Sequence, residues 1–234
     1  MSVKAMVFID GGWLYRNRSI LFTRLGEETF EIDYAKMPRL FSEDVANMLD
    51  EDVSLVRTNY FGTIPSARSG FNTSRQCTFY DFLEKTCGYD TDIHEVDIGS
   101  GNDDNWIKMS LAASMMFFAA QPSAFDIAIL IGDDLDYVPV LQRVRLLGKR
   151  VQIVSAHTNE GRIAPSSLIN NRTHICDFPL LFLDDHAADM RLVRETMKRT
   201  CKHCGKEEET TWAGTDFFCS DCRSRRSRPS IIHD

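Results

Sequence analysis

The sequence has no apolar run near the ~18 residues that a membrane-crossing helix needs, which excludes a helical span. It has no leader pattern either: Met1-Ser2-Val3-Lys4 runs straight into a strand-like stretch, so no signal peptide is expected. Positive charge is in deficit, with 27 Lys and Arg against 34 Asp and Glu and a net charge of −7. That balance argues against a protein that coats nucleic acid over its whole surface, but leaves local patches open. A disulfide framework is also missing. The seven cysteines are odd in number, four of them clustered in pairs, which fits metal binding in a reducing, cytoplasmic setting.

What is present is a chain of 234 residues, 43% hydrophobic, long enough for one large domain and something small beside it. Ile127–Ile131 is an unbroken apolar run, the mark of a strand buried on both faces in a parallel sheet. It leads into Gly132 and then Asp133, Asp134 and Asp136. Three carboxylates at the exit of a buried strand suit a hard cation or a phosphate-handling site, because ligands of open α/β sheets sit beyond the carboxyl ends of the strands. Capping of the next helix, Val138–Leu147, is the competing reading and explains one Asp better than three. Ala5–Ile9 is a second buried strand, ending in Asp10-Gly11-Gly12, and Asp10 carries the same two readings.

Further strands are expected at Val53–Gly62, Ile93–Ile98 and Val151–Ser155. Helices are expected at Lys36–Met48, around Phe79, Phe82 and Leu83, over Trp106–Ala120 and over Val138–Leu147, with Gly148 as the residue that ends the last of these. Strands alternating with helices imply an α/β fold with a mainly parallel sheet. Met115, Met116, Phe117 and Phe118 read as core. Asp103 and Asp104 open the helix before the acidic strand, where they suit its dipole or reach a metal. Thr63–Asn72 reads as a mobile loop carrying Arg68, with Arg75 just beyond. Ser166–Asn171 reads as a short helix or turn, Phe178–Leu183 as a last apolar stretch, and residues 184–199 as a connecting helix.

Cys201-Lys-His-Cys204 and Cys219-Ser-Asp-Cys222 are separated by fourteen residues. Two Cys-x-x-Cys knuckles at about that distance point to a four-thiolate structural zinc site over residues 200–224. Trp212, Phe217 and Phe218 are expected to supply its small core. Cys77, Cys87 and Cys176 read as ordinary buried thiols. Residues 191–228 carry a local charge of +4 and the remainder −11, and Arg223, Arg225 and Arg226 begin a basic tail over 225–234. A basic zinc module on an acidic body suggests a nucleic-acid tether.

Together these residues resemble the NYN family of PIN-like ribonucleases, of the LabA type. The resemblance rests on Phe8-Ile9-Asp10-Gly11, Phe125-Asp126, Asp134-Leu135-Asp136-Tyr137-Val138-Pro139, Leu146-Leu147-Gly148-Lys149-Arg150-Val151 and, more weakly, Asp177-Phe178. It spans residues 3–183. It implies a Rossmann-like three-layer α/β/α sandwich over residues 1–183. It also implies an acidic pocket for Mg²⁺ or Mn²⁺, with hydrolysis of RNA phosphodiesters as the activity. By position, Asp10, Asp134 and Asp136 match the family's acidic residues, with Asp103 and Asp104 as candidates to complete them. Three positions depart from its pattern. Trp13 stands where the family has Asn, and Lys108 and Ser114 stand where it has two Asp. Asn17 is the candidate to replace the missing amide, Trp13 offers a surface on which a base can stack, and Lys108 is placed to contact the scissile phosphate or take the place of a cation. RNA is the expected partner, and a homodimer or protein partner would dock through the zinc ribbon.

Overall fold

The structure, a computed structural model, describes residues 2–26, 30–97, 103–157, 175–193, 196–212 and 214–226. Internal contacts divide the chain into two units, Met1–Arg191 and Leu192–Asp234.

The first unit is built on a six-stranded sheet, β1 (Val3–Asp10), β2 (Val53–Pro65), β3 (Asp90–Val96), β4 (Ile127–Ile131), β5 (Arg150–Ser155) and β6 (Leu181–Phe182), in the order β3-β2-β1-β4-β5-β6. Every neighbouring pair in it is parallel. β1 and β4 are its central strands and run in register from Ala5↔Ile127 to Ile9↔Ile131. Side chains alternate along them, which sorts the core into two layers. Ala5, Val7, Ile9, Ile127, Ile129 and Ile131 pack against α1 (Gly11–Leu25), α2 (Met37–Leu49) and α3 (Ser74–Lys85). Met6, Phe8, Ala128 and Leu130 pack against α4 (Asp103–Ala120) and α5 (Val138–Leu146). The result is the expected three-layer α/β/α sandwich. Pro38 and Pro139 lie in the first turns of α2 and α5, where a missing N–H costs nothing. Gly148, at φ 79°, takes the left-handed conformation that ends α5.

Tertiary pairing overrides the sequence pattern in several places. Among the described residues of 184–199 no connecting helix forms. Leu183–His186 is a single 3-10 turn, and Arg191 bridges back to Ile32. The Asp33 amide donates to the Met190 carbonyl, and Leu183, Ala187 and Met190 are buried in the first unit's core. Met197–Thr200 is then a strand. This apolar spacing serves an extended strap rather than a helix face. In α4, Ile107, Leu111, Met115 and Ala119 are buried against the sheet, and Met116 and Phe118 pack partly buried beside them. Phe117 is 60% exposed, not core, because a helix on the outer layer meets the sheet along one stripe only. β2 runs on to Pro65 and pairs with Val96, so the expected loop begins only after it, with a 3-10 turn at Ala67–Ser69. β3 lies three residues earlier than expected at its start. Cys77 is exposed, Cys87 half-buried and Cys176 buried. Ser166–Asn171 falls outside the described residues. Among the described residues no helix is long and apolar enough to cross a membrane.

Candidate functional site

The central strands deliver Asp10 and the Asp133–Asp136 segment to the same edge of the sheet. Asp10 is 2% exposed and is the N-cap of α1. Its Oδ1 accepts the Trp13 backbone N–H at 2.8 Å, and its Oδ2 accepts the Tyr137 hydroxyl at 2.7 Å. A cap is worth about 1 kcal/mol, and a hydrogen bond to a charged group about 1.5–3 kcal/mol. Burial pushes the Tyr137 phenol far up, and the nearby charges of Asp10 and Asp134 push it further. Gly132 makes the approach feasible. Its φ is 148°, and a Cβ there would meet the Asp10 Cβ at 3.2 Å.

Asp133, Asp134 and Asp136 take three different roles. Asp133 accepts the Trp13 indole N–H at 2.6 Å and the Ser155 hydroxyl at 2.6 Å. Asp134 caps the 3-10 turn Leu135–Tyr137 by accepting the Asp136 backbone N–H. The Lys108 ammonium, projecting from α4, lies 2.7 Å from Asp134 Oδ2 and 2.6 Å from Asp136 Oδ2. Burial alone would lower the Lys108 ammonium, but the hydrogen bonds to Asp134 and Asp136 outweigh it and hold the group above its usual value. Burial alone would raise the Asp134 carboxyl. The Lys108 hydrogen bond and the Asp136 amide reverse that and hold it below the ordinary carboxylate range.

A pH dependence follows from these two directions. A depressed carboxylate stabilises the fold above its unfolded value, and that stabilisation is lost as pH falls through the lower folded value. A raised ammonium stabilises the fold below its unfolded value, and that is lost as pH rises through the higher folded value. The melting temperature of wild type minus that of Lys108→Met is therefore expected to be flat near neutrality. It should shrink at both extremes, below the ordinary carboxylate value of 3.8 and above the ordinary lysine value of 10.5. A difference that does not change with pH would rule out the ion pair as its source.

A divalent cation needs several open carboxylate oxygens. Both oxygens of Asp10 and both of Asp133 carry protein donors, and the ammonium spans Asp134 and Asp136. Among the described residues, no three ligands converge here within reach of one ion. As arranged, these residues do not fit Mg²⁺ or Mn²⁺. The Lys108 ammonium lies between the two carboxylates instead. Asp103 and Asp104 do open α4, but their side chains lie outside the described residues. Trp13 is 6% exposed and presents no face for a base. It is a core residue, because its ring joins the cluster under β1 and its N–H is committed to Asp133. Asn17 donates to the Trp13 carbonyl on its own helix rather than supplying the missing amide to the centre.

Beside this centre lies a cavity of about 630 Å³ that sequence reasoning missed. Its walls come from α1, β2 and α3, and its aromatic residues are far apart in the chain, so no motif marks it. Arg75 lines it, whereas Arg68 is exposed on the 3-10 turn outside its wall. A second missed group is His157, Asp184 and Asp185, whose ligand atoms lie close enough together to hold a metal ion. His157 Nδ1 is 2.9 Å from Asp184 Oδ2, and Asp185 also pairs with Arg24.

In the second unit, β7 (Met197–Thr200) and β8 (Glu207–Thr210) form an antiparallel ribbon, and α6 (Ser220–Arg226) follows. The turn at Cys201–Cys204 closes through the Gly205 amide on the Cys201 carbonyl, with Gly205 at φ 73°. All four Sγ atoms of Cys201, Cys204, Cys219 and Cys222 lie within 4.8 Å of one another, and Cys204 and Cys219 are 3.6 Å apart. Zinc–sulfur bonds of about 2.3 Å in a tetrahedron put sulfurs about 3.8 Å apart, so the group fits zinc. Phe217 is buried and Phe218 partly so, as expected. Trp212 is not part of that core. It is 53% exposed, its indole N–H donating to the Asp216 carbonyl. Arg223 is exposed on α6, and the side chains of Arg225 and Arg226 lie outside the described residues.

The family model described as the NYN domain matches residues 4–184, well over half of the chain. Its members are of PIN-like nuclease type and use divalent metals. A search of curated proteins gives no match. Among solved structures, a protein of unknown function from Vibrio parahaemolyticus aligns with a TM-score of 0.50 at 16% identity, covering 82% of this chain and 97% of its own. At that identity the likeness concerns the fold alone.

Proposed function

This chain belongs to the NYN domain family, and on that premise we propose that it is an RNA-binding protein whose nuclease-type carboxylate centre is held neutralised by its own lysine. The observation that carries this reading is the Lys108 ammonium between Asp134 and Asp136. The chain's own residues then do three things. Asp10, Trp13, Asp133, Tyr137 and Ser155 fix the strand ends as one hydrogen-bonded block. Lys108 cancels negative charge that would repel a phosphodiester. Arg75, Arg223, Arg225 and Arg226 supply phosphate contacts, which give affinity without base information. The four cysteines hold zinc as a structural ion, and residues 200–224 are its ribbon.

A second reading is a metal-dependent ribonuclease in which Asp10, Asp134 and Asp136, with Asp103 or Asp104, hold Mg²⁺ or Mn²⁺. It is favoured by the delivery of Asp10 and Asp134 to one sheet edge and requires Lys108 to vacate the centre. Full-length protein incubated with labelled single-stranded and structured RNA, with Mn²⁺ or with a chelator that leaves zinc in place, separates the two. The expected result is binding that weakens with salt and intact RNA in both conditions. Replacement of Arg223, Arg225 and Arg226 by Ala should lower affinity at every sequence alike and flatten the salt dependence. Cleavage that requires Mn²⁺ and disappears in Asp136→Asn would overturn the binding-only reading.

A further inference from the structure

The cavity beside the carboxylate centre has a definite chemistry. Tyr34, Tyr60, Phe79 and Tyr80 form a connected aromatic wall, with ring centroids 5.1 Å apart for Tyr34 and Phe79, 6.0 Å for Tyr60 and Phe79, and 5.5 Å for Phe79 and Tyr80. Glycines seat this wall. A Cβ on Gly11 would lie 2.6 Å from the Tyr60 ring, and one on Gly62 would lie 3.0 Å from the Tyr80 hydroxyl. Polar groups are few and fixed, such as the Tyr80 hydroxyl donating to the Thr63 carbonyl at 2.8 Å. Burial pushes Tyr34 up to about 12 and raises Tyr60 as well, so both phenols are neutral at physiological pH.

The rim is cationic. Arg75 is exposed on α3, and the Arg18 guanidinium lies 4.1 Å from the centroid of the Tyr15 ring, itself 64% exposed. The cavity shares walls with the centre. It is lined by Gly11, which follows Asp10, and by Ile107, which precedes Lys108.

We propose that this cavity is a nucleotide pocket, with the base against the Tyr34–Tyr60–Phe79–Tyr80 wall and the phosphate at Arg18 and Arg75. Three observations lead there. The rings meet at interplanar angles of 67°, 77° and 53°, so the wall is a cleft of ring edges and faces rather than a flat platform, and a ring face open to the cavity takes any base, because every base has a π-face. Guanidiniums at the mouth match phosphate oxygens. A volume of about 630 Å³ falls within the range of small-ligand sites. The proposal rests on the RNA-binding reading for the source of the nucleotide. The same chemistry also serves a free mononucleotide, and the test separates the two.

The test is saturation-transfer NMR and titration calorimetry on the full-length, zinc-loaded protein. The probes are uridine and adenosine monophosphate, ribose 5-phosphate and a short single-stranded RNA. Base protons of both mononucleotides should receive saturation, and ribose 5-phosphate should bind much more weakly. Tyr15→Ala and Arg75→Ala both lie at exposed positions and leave the core intact. Each should weaken mononucleotides and RNA by roughly tenfold, Arg75→Ala by removing a phosphate contact and Tyr15→Ala by releasing the Arg18 guanidinium that its ring holds at the mouth. Mononucleotides that bind in this way while RNA does not would uphold the pocket for free nucleotides and defeat the RNA reading. RNA that binds equally to wild type and both variants, with no mononucleotide binding, would overturn the pocket and spare the RNA reading. Absence of all binding would overturn both.

Discussion

Stripping zinc from the full-length protein is expected to unfold Leu192–Asp234 and leave Met1–Arg191 folded. The second unit's buried hydrophobic cluster is Cys201, Phe217, Cys219 and Cys222, with Phe218 against it. Three of the four buried members are metal ligands. A unit of that size has too little apolar surface to offset chain entropy, so the ion supplies the folding free energy, on the order of 10 kcal/mol in comparable peptides. The first unit draws its stability from two apolar layers and needs none of it. Elemental analysis should give one zinc per chain. Hydrogen exchange after chelation should show the β7–β8 amides unprotected and the β1 and β4 amides unchanged. Cys219→Ser should reproduce the effect without chelator. Protection in β7–β8 that survives chelation would show that the cysteines do not depend on a metal.

The second large effect is expected at Lys108. Lys108→Ala removes the ammonium that bridges Asp134 and Asp136, and leaves the more distant charge of Arg16 acting on Asp134. The mutual repulsion of the two carboxylates is relieved by any cation. Calorimetry with Mn²⁺ should show affinity at the centre rising by at least about tenfold over wild type, since one charge at close range near a protein surface is worth several kcal/mol before solvent screening reduces it. Lys108→Arg keeps the charge and should show little gain. Equal Mn²⁺ affinity in wild type and Lys108→Ala would mean that the ammonium does not compete for the cation's place. A gain of Mn²⁺-dependent RNA cleavage in Lys108→Ala would show that the rest of a catalytic centre is intact beneath it.

The layered sheet was legible because Ala5–Ile9 and Ile127–Ile131 are continuous apolar runs, which only a doubly covered strand explains. The cysteine cluster was legible because its spacing is a local property. Asp10 lies at the strand tip, as expected, and there it caps α1. Trp13 was misread because exposure is not a property of residue type. Its indole is buried by a partner 120 positions away, Asp133. The cavity stayed hidden for the same reason, since Tyr15, Tyr34, Tyr60 and Tyr80 belong to four different segments. The connecting helix failed because an apolar spacing of three and four residues also suits a strap whose side chains reach into a pre-existing core.

The hydrogen bonds from Trp13 and Ser155 onto Asp133 make position 13 hard to change. Asparagine, the residue that the resemblance to the family implies there, would if installed alone empty the space of an indole ring and strip Asp133 of one of its two donors. The loss is a cavity plus an under-satisfied carboxylate, and neither is repaired unless Asp133 and its surroundings change in step. Exchanges at 13, 133 and 155 are therefore non-additive. The indole, the carboxylate and the hydroxyl thus work as one unit, so that a designer who changes any of the three must choose the other two with it.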